Sequence, residues 1–208
     1  AVQWYRKAAG QGLPEAQHML GILCTEGRGV PENYMEAAQW HGKAADQNFL
    51  PAEYQMGVLY ALGQGVEISA EIAAKWFLQA AEKDLADAQF QIGYRYAKGE
   101  GVPQNYKTAE KLFRLAAEQG NSDAQTSMGK LYESGFGVIQ NYKTAVKWYR
   151  LAMEQGNDSG QYNLGVMYDK GLGVPQDYKT AVKWYRLAAA QGNTYAQFNL
   201  GLSYYYGE

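Results

Sequence analysis

The sequence predicts an all-α protein, a solenoid of helix-turn-helix repeats that are 36 residues long. The first observation is a glycine that recurs every 36 residues without slippage, at Gly21, Gly57, Gly93, Gly129, Gly165 and Gly201. The second is a Gly-x-Gly-Val segment that follows this glycine, beginning at Gly27, Gly63, Gly99, Gly135 and Gly171. A fixed period of this length is typical of tandem arrays, in which each repeat buries the otherwise exposed face of its neighbour.

Apolar residues define two helices in each repeat, and this helical spacing is the third observation. One stripe has the spacing i, i+4, i+7, i+8 of an amphipathic helix, at Ala124, Met128, Leu131 and Tyr132. The glycines that follow it can take positive φ and stop a helix. We therefore predict a first helix in each repeat, ended by a left-handed glycine in the Gly-x-Gly-Val segment.

A second helix follows the turn. Its apolar spacing runs from Tyr142 to Ala152, and Asn141 is placed to cap its first turn. A bulky column, mostly tryptophan, lies one turn before a column of alanines, which predicts close helix packing. We expect these tryptophans to be buried: Trp40, Trp76, Trp148 and Trp184.

The period also predicts the domain organisation, which is one solenoid domain over residues 1–208. The expected units are a partial repeat 1–13, repeats 14–49, 50–85, 86–121, 122–157 and 158–193, and a partial repeat 194–208. Natural arrays finish in polar capping elements. Since both ends fall inside a repeat, we expect them to be cuts within a longer array.

The unit GQYNLGVMYDKGLGVPQDYKTAVKWYRLAAAQGN, residues 160–193, resembles Sel-1-like repeats, which are relatives of tetratricopeptide repeats. The resemblance rests on Leu164-Gly165, the loop at 171–174 and Trp184-Tyr185, which keep register along nearly the whole chain. It implies a right-handed α/α superhelix, an adaptor or scaffold role and, as one possible location, the bacterial periplasm or exterior. Three residues depart from the pattern, and we expect their hairpins to pack or turn differently: Asn48, Ala70 and Asp84.

Composition excludes several functions. Lysine and arginine total 19 against 21 acidic residues, for a net charge of −2, and no basic stripe runs along the chain. Nucleic acid is therefore not the expected partner. The apolar stretches are too short to span a bilayer, so we expect no direct membrane insertion by this segment.

The sequence offers few residues for catalysis, and we predict no catalytic residue, metal site or cofactor. Glu15 and His18 have the spacing of two ligands on one helix face, but zinc needs at least a third ligand. His41 and Cys24 each replace an aromatic residue of a repeated column, which favours packing over chemistry. Cysteine-rich relatives suggest one alternative, a small-molecule hydrolase of β-lactam-related activity, for which Ser127 and Lys130 offer only an isolated Ser-x-x-Lys spacing.

A variable stripe on the first helices is the candidate binding surface. It lies two residues after the buried stripe, so we expect it to be exposed and, by resemblance to tetratricopeptide repeats, to line a concave face. An exposed stripe rich in aromatic residues predicts docking of a protein or peptide. The candidate residues are Tyr54, Val58, Phe90, Tyr94, Lys130, Tyr162, Val166, Phe198 and Leu202. Two alternatives remain open, namely packing between neighbouring first helices and self-association of the chain.

Overall fold

A computed structural model describes residues 1–207 apart from the side chain of Tyr206, and this part of the chain contains twelve α-helices and no strand. The helices alternate between second helices, which have odd numbers, and first helices, which have even numbers. Their bounds are α1 Val2–Gly10, α2 Pro14–Glu26, α3 Tyr34–Ala45, α4 Leu50–Leu62, α5 Ala70–Glu82, α6 Ala86–Lys98, α7 Tyr106–Glu118, α8 Ser122–Ser134, α9 Tyr142–Glu154, α10 Asp158–Lys170, α11 Tyr178–Ala190 and α12 Thr194–Tyr206. The predicted all-α, helix-turn-helix fold class is confirmed.

The chain forms two compact units. The amino-terminal unit, Ala1–Gln104, contains α1 to α6, and the carboxy-terminal unit begins at Asn105 and contains α7 to α12. Within each unit a first helix packs on the second helix of its own repeat, as in the pairs α2–α3 and α10–α11. Each second helix also packs on the next first helix, as in α3–α4 and α11–α12. A helix between the two ends of a unit is therefore covered on two sides.

Left-handed glycines end the first helices, as predicted. The φ angles are 64° at Gly27, 67° at Gly63, 77° at Gly99, 76° at Gly135 and 66° at Gly171. Each glycine places its amide on a carbonyl of the last helical turn and closes the helix.

The second glycine of the loop has a different role, because it touches the preceding repeat. A Cβ added at Gly65 would lie 2.0 Å from the carbonyl oxygen of Tyr34, and one at Gly101 would lie 2.1 Å from that of Ala70. No side chain fits at either position. The loop of one repeat therefore lies directly on the start of the second helix of the repeat before it.

Polar caps begin the second helices. The Asn141 side chain accepts a hydrogen bond from the Thr144 amide at 3.0 Å, so the predicted cap is confirmed. Ser69 does the same for the Ile72 amide, and α5 begins at Ala70 in the register of the other second helices. The expectation that the hairpin turns differently at Ala70 is therefore wrong.

The two other departures also keep the standard turn. Asn48 has φ 60° and Asp84 has φ 67°, in the left-handed region that glycine occupies at the equivalent Gly120, Gly156 and Gly192. Asparagine and aspartate tolerate this conformation better than other residues with a side chain. The expected difference in turn geometry is therefore wrong, because Asn48 and Asp84 adopt the backbone of glycine.

In four hairpins, an aromatic ring of the second helix lies in a slot left by a glycine of the first helix. Tyr149 is fully buried, and a Cβ added at Gly129 would lie 2.3 Å from its Cε1 atom. Tyr185 has the same relation to Gly165, at 2.7 Å. The recurrent glycine of the first helix therefore makes room for an aromatic side chain of the second.

The tryptophan column does not occupy this core. All four tryptophans that we expected to be buried are only half-buried. The residue after each one is the buried residue, namely His41, Phe77, Tyr149 and Tyr185. Neighbouring side chains on a helix point about 100° apart, so the tryptophans reach the edge of the hairpin, where Lys43 lies 4.3 Å from the ring centroid of Trp40.

Candidate partner-binding surface

The predicted stripe lies on the first helices, but much of it is less exposed than expected. Tyr94 and Leu202 are each 39% exposed and Phe198 is 66% exposed, and Lys130 is also exposed. The other predicted positions are half-buried: Tyr54, Val58, Phe90, Tyr162 and Val166. Thr126, which shares this stripe, is buried. The expectation of a fully exposed stripe is therefore wrong.

Packing between helices explains the partial burial. The Tyr54 ring lies 5.5 Å from that of Phe77, and the Tyr162 ring lies 5.9 Å from that of Tyr185, measured between centroids. Tyr162 also lies 5.9 Å from Tyr195 on the next first helix. One side of each ring therefore packs within the array, and the contact of Tyr162 with Tyr195 is the packing between neighbouring first helices that one alternative expects.

The amino-terminal unit has a largely apolar pocket on the side of the first helices that carries the predicted stripe. Its volume is about 270 Å³, and it lies among three successive first helices, α2, α4 and α6, and the residue before α6. Its lining is His18, Ile22, Leu50, Pro51, Tyr54, Gln55, Leu85 and Asp87. This pocket suits an apolar side chain, since aliphatic residues and a tyrosine form most of its wall.

The carboxy-terminal unit has a more polar pocket, with a volume of about 400 Å³. It lies between α10 and α12 over the core of α11, and its lining is Tyr162, Val166, Asp169, Lys170, Tyr185, Asn199, Leu202 and Ser203. The sequence predicts Tyr162, Val166 and Leu202 as site residues, but it does not single out Asn199 and Ser203. A signal existed, because Ser203 stands in a column that is leucine or methionine in every other repeat except that of Arg95.

Carboxylates bind the hydroxyls of the two deepest tyrosines. The Tyr149 hydroxyl donates to Glu133 Oε2 at 2.5 Å, and the Tyr185 hydroxyl donates to Asp169 Oδ2 at 3.3 Å. Burial, together with the nearby carboxylate, raises the pKa of both tyrosines above the ordinary value. Where the ring is Phe77 instead, the position of the carboxylate is Ala61. A buried hydroxyl and its acceptor thus occur together, as the cost of an unpaired polar group requires.

The two histidines contact each other. His18 Nδ1 and His41 Nδ1 are 3.0 Å apart, so one ring donates and the other accepts. Burial, helped by the neighbouring His18, lowers the pKa of His41 to about 3. His41 is therefore neutral at pH 7 and fills the slot of Gly21 as an aromatic ring does in other repeats. No group of three or more histidine, cysteine or acidic residues that could hold a metal occurs in the described part of the chain.

Cys24 is a buried thiol. It is 1% exposed, and burial together with Glu36 raises its pKa, which favours the protonated form over the nucleophilic thiolate. This environment agrees with packing in a column otherwise occupied by tyrosine. Among the described helices, none is both long enough and apolar enough to span a membrane.

The fold defines a class, the tandem helical-hairpin repeat proteins. The chain belongs to the Sel1 repeat family. The Sel1 repeat matches residues 1–13, 14–49, 50–85, 86–121, 122–157, 158–193 and 194–208. Sel1 repeat proteins form α-solenoids that generally act as non-enzymatic scaffolds for protein–protein interactions.

Two solved structures show the same fold. The Sel1 repeat protein from Oxalobacter formigenes is 36% identical, with a TM-score of 0.92 over 95% of this chain and 79% of that one. The protein c5321, a protective antigen present in uropathogenic Escherichia coli strains, displays an SLR fold and is 38% identical, with a TM-score of 0.88. The match covers 97% of this chain but only 43% of c5321. No curated protein matched the sequence.

Proposed function

We propose that this chain is a scaffold that holds a polypeptide along its first-helix face, which is the side of the even-numbered helices that carries the predicted stripe. The main anchors are Tyr54, Phe90, Tyr94, Tyr162 and Phe198. One observation carries the proposal: each compact unit has a pocket on this face, and a predicted anchor lines it, Tyr54 in the amino-terminal unit and Tyr162 in the carboxy-terminal unit.

Partial burial of the anchors favours this role. A ring that already packs on its own hairpin, as Tyr54 does on Phe77, loses little conformational freedom when a partner covers its other side. Aromatic side chains also contribute large contact areas and dominate many protein interfaces. Acidic and basic residues beside the pockets, Asp87, Asp169 and Lys170, would then set specificity more than affinity.

The alternative of a small-molecule hydrolase has less support. Nucleophilic catalysis needs a nucleophile with a base in contact. The Cys24 thiol is buried with a raised pKa, and burial lowers the pKa of His41 to about 3, which makes it a weak base. Ser127 is half-buried while Lys130 is exposed.

The proposal is tested by selecting binding peptides from a random display library against the immobilised chain. Tyr94 and Phe198 are then changed to serine. As a matched control, Leu115 and Leu151, which are 46% and 43% exposed on second helices, receive the same change. We expect the first-helix pair to weaken peptide binding by about 2 kcal/mol or more, measured by calorimetry, while circular dichroism shows unchanged helicity.

Self-association of the chain is tested separately from peptide binding. Sedimentation of the unliganded chain should show a monomer if the first-helix face is reserved for a partner. The proposal would be refuted if the second-helix pair abolished peptide binding and the first-helix pair left it intact. It would also be refuted if the face were covered by a second copy of the chain.

A further inference from the structure

Two equivalent slots on the first-helix face differ in how they are filled. The slot in the amino-terminal unit is formed by Tyr54, Phe77 and Gln91. Three repeats later, the slot in the carboxy-terminal unit is formed by their equivalents, Tyr162, Tyr185 and Asn199. Each slot thus contains two aromatic rings and a side-chain amide.

Arg95 fills the slot of the amino-terminal unit. Its guanidinium carbon lies 4.5 Å from the centroid of the Phe77 ring, and Nη1 donates to Gln91 Oε1 at 3.2 Å. The residue is only 7% exposed, and this burial lowers the pKa of its guanidinium. This slot therefore holds a buried arginine against an aromatic ring, an arrangement that a desolvated cation–π contact stabilises.

Ser203 leaves the slot of the carboxy-terminal unit open. It occupies the position of Arg95, and the space beside it is the pocket of about 400 Å³. Asp169 also replaces Ala61, so the open slot has a carboxylate at a position where the filled slot has only a methyl group. The bond from Tyr185 uses one lone pair of Asp169, and a carboxylate has several more. Lys170 is exposed on the rim, where its flexible stem can leave the ammonium in solvent.

We propose that this open slot binds an arginine side chain of the polypeptide partner. The inference rests on the proposed scaffold function and adds the chemistry of one partner residue. The guanidinium pairs with Asp169 and stacks on the Tyr185 ring, as that of Arg95 does on the equivalent Phe77. Its aliphatic stem lies against Val166 and Leu202. Arginine fits better than lysine, because its planar fork can make two parallel bonds to a carboxylate while its face contacts an aromatic ring.

A titration of the isotope-labelled chain with N-acetyl-arginine methylamide, followed by NMR, tests this pocket directly. We expect saturable shifts at Tyr162 and Asn199, with a dissociation constant on the order of millimolar for so small a probe. The citrulline analogue, which has the same shape without the charge, should not bind. Equal shifts with arginine and citrulline would overturn the inference.

Three variants identify the groups responsible. Asp169→Asn should weaken arginine binding by about tenfold or more. Ser203→Arg should abolish it, since the chain's own guanidinium would then fill the slot as Arg95 does. Glu154→Gln removes one charge from an exposed position on α9 and should leave binding unchanged. Unaltered binding in both Asp169→Asn and Ser203→Arg would refute the assignment.

A gain of a second site provides an independent test. Arg95→Ser together with Ala61→Asp should open the slot of the amino-terminal unit and raise the stoichiometry of the arginine probe from one to two. Stoichiometry that stays at one in a folded variant would refute the equivalence of the slots.

The selected peptides separate this inference from the proposed function. If Tyr94 and Phe198 matter but replacing each peptide arginine by citrulline changes nothing, the inference fails and the scaffold function stands. If the arginine probe binds and no peptide does, the scaffold function is refuted. The claim that the bound arginine belongs to a polypeptide is then refuted as well.

Discussion

Adding one methyl group at Gly129 should destabilise the protein, although alanine favours helices. The new Cβ would lie 2.3 Å from Tyr149 Cε1, well inside the contact distance of about 3.5–4.0 Å between carbon atoms. The ring is fully buried, and its hydroxyl is fixed on Glu133, so it has little room to move. Overpacking of this severity costs about 3 kcal/mol, and the helix propensity of alanine offsets about 1 kcal/mol. We therefore expect Gly129→Ala to lose about 2 kcal/mol.

Gly201 provides the matched control, because it occupies the same column and an added Cβ there meets nothing within 4 Å. Gly201→Ala should be neutral or stabilising by up to about 1 kcal/mol. Both variants are compared by urea unfolding and by thermal melting, followed by circular dichroism, and Gly129→Ala should lower Tm by roughly 4–8 °C. Equal stabilisation by the two substitutions would show that the glycine column does not serve as a slot for the aromatic ring.

Three further predictions concern the core, a turn and pH. Tyr149→Phe should cost about 1–2 kcal/mol by leaving Glu133 without its donor, and the double variant with Glu133→Ala should recover part of this loss; additive losses in a double-mutant cycle would contradict the pairing. Asn48→Gly should raise the free energy of unfolding by up to about 1 kcal/mol, because φ is 60° there, and a loss of stability in urea would refute this. His41 is protonated less readily in the folded chain, with a pKa of about 3 against an unfolded value of 6.5. The contribution of neutral His41 to the free energy of unfolding is therefore present above pH 6.5 and is lost as pH drops toward 3, by about 2 kcal/mol between pH 8 and pH 5. This loss should be largely absent in His41→Phe. An unchanged pH profile in that variant would contradict the assignment.

Local chemistry made the repeats and turns predictable from the sequence. Left-handed φ at Gly27 and a side-chain cap at Asn141 depend on residues within one turn of the helix end, and both are present. The same reasoning failed at Asn48 and Asp84, where packing of the hairpin retains the turn without glycine.

Packing between helices made the remaining features harder to predict. Trp148 and Tyr149 are adjacent and both bulky, and only the position of the opposing Gly129 shows which of them enters the core. Likewise, the exposure of Tyr162 depends on Tyr195 of the next first helix, which periodicity alone does not reveal. The open slot was detectable in principle, since Arg95 and Ser203 both depart from an otherwise apolar column.

The most direct test of the account is to map where a selected peptide lies on the chain. The aromatic and methyl groups of the protein are labelled, and their NMR signals are compared before and after saturation with the peptide. We predict the largest changes at Tyr94, Tyr162 and Phe198 on the first helices, with little change at Leu115 and Leu151 on the second helices. The reverse pattern would contradict the central claim that the first-helix face holds the partner.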